Sequence, residues 1–277
     1  MSPTAQLIGE LLRPLGVSWG EADPLHVALL VFARVTPLTV LAPFFLLRPA
    51  PALVRAGVAL TLTLALVPLA LGHLRVAIDP LTLPLLLVVE VLRGALFAVA
   101  VALPLMALEG AGQWLDALRG AQNGSSTGPV FGGQSTPLGA LLGLLSVALF
   151  FTFGGHRVAL TAFAAGLELV PIGAPLPGEA WAAIAERSMR WVAAALSLTV
   201  AVAAPAALGL VLMELTLGLM GRTAPQIPLH FAGMPLRAAV GLVGLLLTLG
   251  VLVPHLPELF ASGIDEAGAV LPLTAAP

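Results

Sequence analysis

The chain contains no cysteine, no lysine and no tyrosine, and each absence closes a class of function. Without cysteine there is no disulfide framework, no thiolate nucleophile, no iron-sulfur ligation and no cysteine-based zinc site, and the redox compartment stays undetermined. All twelve basic residues are arginine, so the phosphate-binding Walker A loop, which needs a lysine, is excluded together with ATP hydrolysis by that route. Aromatic residues make up only 5% of the chain, the wrong mix for a membrane barrel with aromatic girdles. Charged residues are scarce at 9%, and a net charge of -2 provides no basic surface, so no nucleic-acid partner is expected. The five histidines have no i, i+4 pair and no H-E-x-x-H, so neither a metal site nor a cofactor is expected.

What is abundant is Leu, Ala and Val. A chain of 277 residues that is 59% hydrophobic cannot hide its apolar surface in one soluble core, which points to an integral membrane protein of the all-α class. Apolar runs of the required length, about 20 residues, fall near 25 to 47, 53 to 74, 81 to 108, 191 to 220 and 236 to 256. A sixth, 138 to 170, is interrupted at Gly154-Gly155-His156-Arg157 and reads as a bent pair. Pro37, Pro43, Pro84, Pro104 and Pro205 lie inside these runs, which suggests helices that pack bent against protein. The N-terminus has no basic start, short apolar core and small-residue cleavage site, so no removable signal peptide is expected. Arginines divide evenly between the two sides of six crossings and assign no orientation; the acidic, arginine-free C-terminus places the loop before residue 236 on the cytoplasmic side.

Charges within the runs are costly and face protein or water. Glu90 and Arg93 stand three apart on one helical face and can pair, as an internal packing pair or part of an ion pathway. Arg34 and Glu214 have no local partner and require one on another helix or subunit. A secondary transporter with a midplane site at Glu90, Arg93 and Glu214 is one alternative, although no convincing inverted halves are found. Another is an intramembrane serine protease, from the G-x-S-x-G pattern at Gly124 to Gly128 around Ser126; Gly128 and Pro129 follow where an elbow needs a helix, and nothing orients His156, His230 or His255 as a base.

The long polar interruption is EGAGQWLDALRGAQNGSSTGPVFGGQSTP, residues 109 to 137. Its first half suits an amphipathic helix with Ala111, Trp114, Leu115 and Leu118 on one side and Asp116 and Arg119 on another, and its second half reads as a mobile loop. Gly139-Ala-Leu-Leu-Gly143 has the small-xxx-small spacing of close helix packing. In LMGRTAPQIPLHFAGMPLR, 219 to 237, Gly221 is expected to end a helix, Pro225 and Pro228 to prevent its continuation, and Pro235 to open the next with Arg237 just inside.

These residues resemble the export-gate subunit family of type III secretion systems, FliR in the flagellum and SctT or YscT in injectisomes. The resemblance runs over nearly the whole chain: Arg34, Pro51-Ala-Leu-Val-Arg55, Glu90 followed by Gly94, and above all 109 to 122, LFFTFGGHRVALTAFAAGLELVPIG (149 to 173) and 213 to 237. It implies a non-enzymatic subunit of the bacterial inner membrane, built into a helical ring with FliP/SctR-like and FliQ/SctS-like subunits and meeting an FlhB/SctU-like switch subunit. Unfolded exported proteins would pass through the assembled conduit. The resemblance further implies an N-terminal segment (1 to 24), a FliP/SctR-like part (25 to 190), a FliQ/SctS-like hairpin (191 to 256) and a C-terminal tail (257 to 277). Carried over residue by residue, it gives a lumen-closing segment with Gln113, Trp114, Asp116, Arg119, Gln122 and Asn123. It also gives a subunit-interface loop with Arg222, Pro225, Gln226, His230, Pro235 and Arg237. Arg237 stands where the family commonly has lysine, which keeps the charge. DALRGAQ and ELTLGLMGR look closer to the injectisome branch.

Overall fold

The computed structural model of the chain describes residues 24–41, 51–72, 81–121, 126–127, 134–223 and 229–274. Eight α-helices account for nearly all of them: α1 (Pro24–Leu41), α2 (Ala52–Gly72), α3 (Leu83–Arg119), α4 (Pro137–Thr152), α5 (Gly155–Leu169), α6 (Ala180–Thr223), α7 (Leu229–Leu252) and α8 (Leu256–Val270). A two-residue antiparallel ladder, β1 (Ser126–Thr127) with β2 (Gln134–Ser135), is the extended structure among the described residues. The fold is all-α, as composition requires.

Four of these stretches are long and apolar enough to cross a membrane, five if α4 and α5 count as one broken span. The chain is therefore a multi-pass membrane protein. The expected bent pair is present: α4 ends at Thr152, and Gly154, at φ 76°, takes the left-handed conformation that separates it from α5. At its start α4 has Thr136 as N-cap, whose hydroxyl accepts from the Gly139 N–H, and Pro137 in the first turn.

Several expected boundaries move. The third apolar run does not stop at 108; α3 continues through the polar sequence to Arg119, where Gly120 (φ 71°) closes it. There the Ala121 N–H bonds the Asp116 carbonyl (2.9 Å) and the Gly120 N–H bonds that of Ala117 (3.2 Å), the double closure typical of a glycine stop. Gly221 does not end α6, which runs to Thr223, and Pro235 does not open α7, which begins at Leu229 and carries Pro235 inside. Of the prolines expected within spans, Pro37, Pro104 and Pro205 are interior, whereas Pro84 sits in the first turn of α3, where a missing N–H costs nothing. Pro43 lies outside the described residues.

The chain divides into two compact units. Among the described residues, the first comprises those up to Ala102, Gly154–Trp191 and those from Ala261; the second comprises those within Leu103–Phe153 and Val192–Phe260. In the first, α1 and α2 pack as neighbours, and Phe97 meets Phe163 edge to face at 5.2 Å. In the second, Phe150 and Phe260 make a similar contact at 5.4 Å. There α6 and α7 form a hairpin whose backbones approach at Gly244: a Cβ added to it would lie 2.6 Å from the Ala206 Cα.

Candidate functional site

The buried charges of the first unit form one cluster. Arg34 comes from α1, and Glu90 and Arg93 lie one turn apart on α3; none is more than 1% exposed. One Glu90 oxygen accepts from the Arg34 Nε, and the other accepts from the Arg93 Nη1 (3.0 Å) and the Gly173 N–H (3.1 Å). Arg34 Nη1 donates to the Val170 carbonyl at 2.8 Å. Arg93 donates to the carbonyls of Ala174 (2.9 Å) and Thr274 (2.7 Å), and its Nε donates to the Thr274 hydroxyl (3.0 Å).

Two arginines face one carboxylate here, leaving one positive charge in excess. Carbonyls answer it: Val170 is the C-cap of α5, where the helix end carries partial negative charge. The cluster is held together by backbone contact as well, because the Arg34 carbonyl oxygen occupies the space that a Cβ on Gly94 would need.

The polar segment is organised around Asp116, which is fully buried on α3. One of its oxygens accepts the Leu138 N–H at 2.6 Å, at the start of α4, and the other pairs with Arg119. An anion is favoured there because the first N–H groups of a helix have no internal partner and the dipole is positive. Gln113 donates to the Ser135 hydroxyl (3.2 Å) and to Glu109 (3.4 Å). Glycine permits the approach: the Leu138 carbonyl stands where a Cβ on Gly112 would be, and a Cβ on Gly139 would lie 2.6 Å from Gln113 Cγ. The stem of Arg119 crosses Gly241 of α7 in the same way, with its Cδ 2.6 Å from the position of an added Cβ.

The expected amphipathic face is corrected. Ala111 and Leu115 are buried as anticipated, but Trp114 is 37% exposed while Asp116, assigned to the polar side, is fully buried. A hydrogen bond to a helix N-terminus outweighs the apolar pattern at that position.

Glu214 on α6 pairs with Arg237 on α7, through Nε to one oxygen and Nη2 to the other (3.2 Å). The expectation that Arg34 and Glu214 need partners on other helices is met in both cases. Arg222 is exposed near the end of α6. Of the remaining expected site residues, Gln122, Asn123, Pro225 and Gln226 lie outside the described residues, and His230 is described only as backbone within α7. Ser126 sits in the short ladder opposite Ser135, and the residues that follow Thr127, from 128 to 133, lie outside the described residues. Among the described residues no group of three or more His, Asp and Glu is placed to hold a metal ion.

Sequence reasoning missed Thr274, the Val170 to Pro175 turn and the Leu138 N–H. Backbone atoms leave no residue-type signature, and Thr274 is separated from Arg93 by 181 positions.

Long apolar helices knitted by ion pairs that bridge elements define a multi-pass membrane protein. The chain belongs to the bacterial export proteins, family 1, whose family model matches residues 25–263. It is similar to Yop proteins translocation protein T of Yersinia pestis, 26% identical over 223 residues that cover 80% of this chain and 84% of that protein. It is similar also to flagellar biosynthetic protein FliR of Caulobacter vibrioides, 30% identical over 235 residues covering 84% and 92%. A third relative is secretion system apparatus protein SsaT of Salmonella typhimurium, 28% identical over 211 residues covering 74% and 79%. The resemblance read from the residues is thereby borne out; relatives from secretion systems and from the flagellum match at comparable identity, so the comparisons do not separate the two branches.

Proposed function

We propose that this chain is a core, non-enzymatic subunit of a type III protein export gate, forming part of the conduit and its closure through which unfolded proteins leave the cytoplasm. The observation that carries this reading is the family match from residue 25 to residue 263, together with relatives named for translocation, secretion and flagellar biosynthesis. The helices support it. Leucines of α2, α6 and α7, among them Leu64, Leu212 and Leu247, face outward along spans that this chain leaves largely uncovered. Sibling helices and lipid are the two ways to cover such surface. FliP/SctR-like and FliQ/SctS-like subunits are the proposed siblings and an FlhB/SctU-like protein the neighbouring switch; residues 25 to 190 follow the first kind and 191 to 256 the second. The system served is an injectisome.

In this reading the end of α3, with Gln113, Trp114, Asp116 and Arg119, belongs to the closure. Its support is physical: a polar stretch continuous with an apolar helix and pinned through Asp116 is held too firmly to be a free connector. Arg222, Pro235 and Arg237 belong to the interface near the hairpin tip.

Expressed with its neighbouring genes, the chain is expected to co-purify with two smaller hydrophobic subunits, and its deletion to abolish secretion. Undiminished secretion from the deletion strain would overturn the proposal. For the closure, Asp116→Ala in an assembled gate is expected to raise leakage of small solutes; permeability equal to the parent would assign the segment to packing alone.

A further inference from the structure

The first unit is closed by residues that lie far along the chain from the charges they cover. Thr274 is completely buried, and it gives Arg93 both its hydroxyl (3.0 Å) and its carbonyl (2.7 Å). The threonine is itself held: its hydroxyl donates to the Leu271 carbonyl at 2.7 Å, and its N–H bonds the same carbonyl at 2.9 Å. Leu271, 1% exposed, presses its side chain onto Gly166 of α5, where an added Cβ would overlap it. One turn earlier on α8, Glu266 accepts from Arg187 Nε (2.8 Å) and from Trp191 Nε1 (3.0 Å), tying the helix to the start of α6. Ile264, Ala267 and Val270 complete the buried side of α8.

We infer that residues 264–274 are a clasp that completes the Arg34–Glu90–Arg93 cluster, and that the first unit reaches its native form only after the chain has been made through Thr274. An arginine that is 0% exposed needs its N–H groups filled, because a buried unpaired charge is among the most costly features a fold can contain. Glu90 and the Ala174 carbonyl engage Nη1. Nε and the closest contact of Nη2 depend on Thr274. Until the clasp is seated, Nε and Nη2 of Arg93 lack their Thr274 partners, and the 170–175 turn is held by Arg34, Glu90 and an Arg93 that is itself only partly engaged. The cluster thus couples α1, α3, the 170–175 turn and the clasp into one all-or-none arrangement. A part-made or shortened chain presents an unfinished surface to any neighbour. The matched family region ends at residue 263, so the clasp lies beyond it. The inference concerns this chain's own folding and does not rest on the export reading.

The test is hydrogen exchange in detergent, read in the 170–175 turn, on the purified full-length parent, Thr274→Val, Thr274→Ser and Leu271→Ala chains and, beside them, on a chain stopped after Ser262. Thr274→Val keeps the shape and the carbonyl but removes the hydroxyl, and is expected to speed exchange at the Gly173 amide roughly tenfold or more. Leu271→Ala and the stopped chain are expected to speed it further, while Thr274→Ser stays within roughly threefold of the parent. Exchange in α4, which belongs to the second unit, is expected to be unchanged in all of them, which separates loss of the clasp from general unfolding. Parent-like protection of the 170–175 turn in both Thr274→Val and the stopped chain would overturn the inference. So would equal acceleration in α4 and the turn, since that is loss of the whole fold and no clasp.

Discussion

Gly94 and Gly57 are both glycines inside helices, yet substituting them should have opposite signs. At Gly94 the Arg34 carbonyl oxygen fills the space of a Cβ, so Gly94→Ala must push α1 off α3 and stretch the Arg34–Glu90 pair. Overpacking of this kind costs about 1–3 kcal/mol. Around Gly57 nothing lies within 4 Å, so Gly57→Ala gains helix propensity, up to about 1 kcal/mol, without a clash. Thermal unfolding in detergent is expected to place the first variant below the parent and the second level with it or above. The ion pairs divide in the same manner. Glu90→Gln leaves two buried arginines without a counter-charge and is expected to cost about 3–5 kcal/mol, whereas Glu186→Gln removes an exposed pair at 3.8 Å and is expected to change stability by less than about 1 kcal/mol. Equal shifts from the two substitutions, measured by the same unfolding assay, would contradict the cluster's role. At this scale the sequence is informative about demand and silent about supply. Arg34 and Glu214 visibly need partners, since a charge in an apolar helix must be answered. Which residue answers is decided by helices that come together only in the folded chain.

At the level of elements, α3 and α4 are joined through a side chain that caps another helix. Asp116→Asn retains an oxygen for the Leu138 N–H but loses the charge that Arg119 and the helix dipole favour. A charge-assisted hydrogen bond is worth about 1.5–3 kcal/mol. Exchange at Leu138 to Ala140 is expected to quicken by roughly one to two powers of ten, with no effect on α5 in the other unit. A variant with parent-like exchange at Leu138 would mean that Gly112 and Gly139 alone hold the two helices. Element boundaries show where local signals lose to context. The bent pair was legible because Gly154 and Gly155 interrupt an apolar run, whereas the stop of α3 at Gly120 was not read from the sequence. Gly221 and Pro235 gave the wrong limits because their helix penalties, about 1 and about 3 kcal/mol, are carried within a hairpin whose interface includes the Glu214–Arg237 pair. The pairing of Asp116 with a backbone N–H 22 positions away was not legible at all, since any residue could supply that N–H.

For the molecule as a whole, the lengths of the spans and the exposure of their leucines bear on what surrounds the chain. The 44 residues of α6 extend for about 66 Å, roughly twice the thickness of a bilayer's hydrocarbon core. Glu186, Arg187 and Arg190 lie on the part of α6 that belongs to the first unit, and the part in the second unit, in the hairpin with α7, carries outward leucines. Leu212 is 64% exposed on this second part, so Leu212→Asn removes nothing from the chain's own core. If sibling helices cover that face, as the export reading requires, the substitution places an unmatched amide in a packed interface. Co-purification of the small subunits is then expected to fall about tenfold or more, while the isolated chain's unfolding temperature stays within a few degrees of the parent. If lipid covers it, the amide meets hydrocarbon and lowers membrane insertion, and subunit stoichiometry in the inserted fraction stays as in the parent. Leu142→Ala in the core of the second unit supplies the contrast: it is expected to cost about 2–5 kcal/mol of the chain's own stability before any partner is involved. Separating the two effects, interface loss without unfolding and unfolding without a partner, decides whether the surface left bare by this chain is made to meet protein.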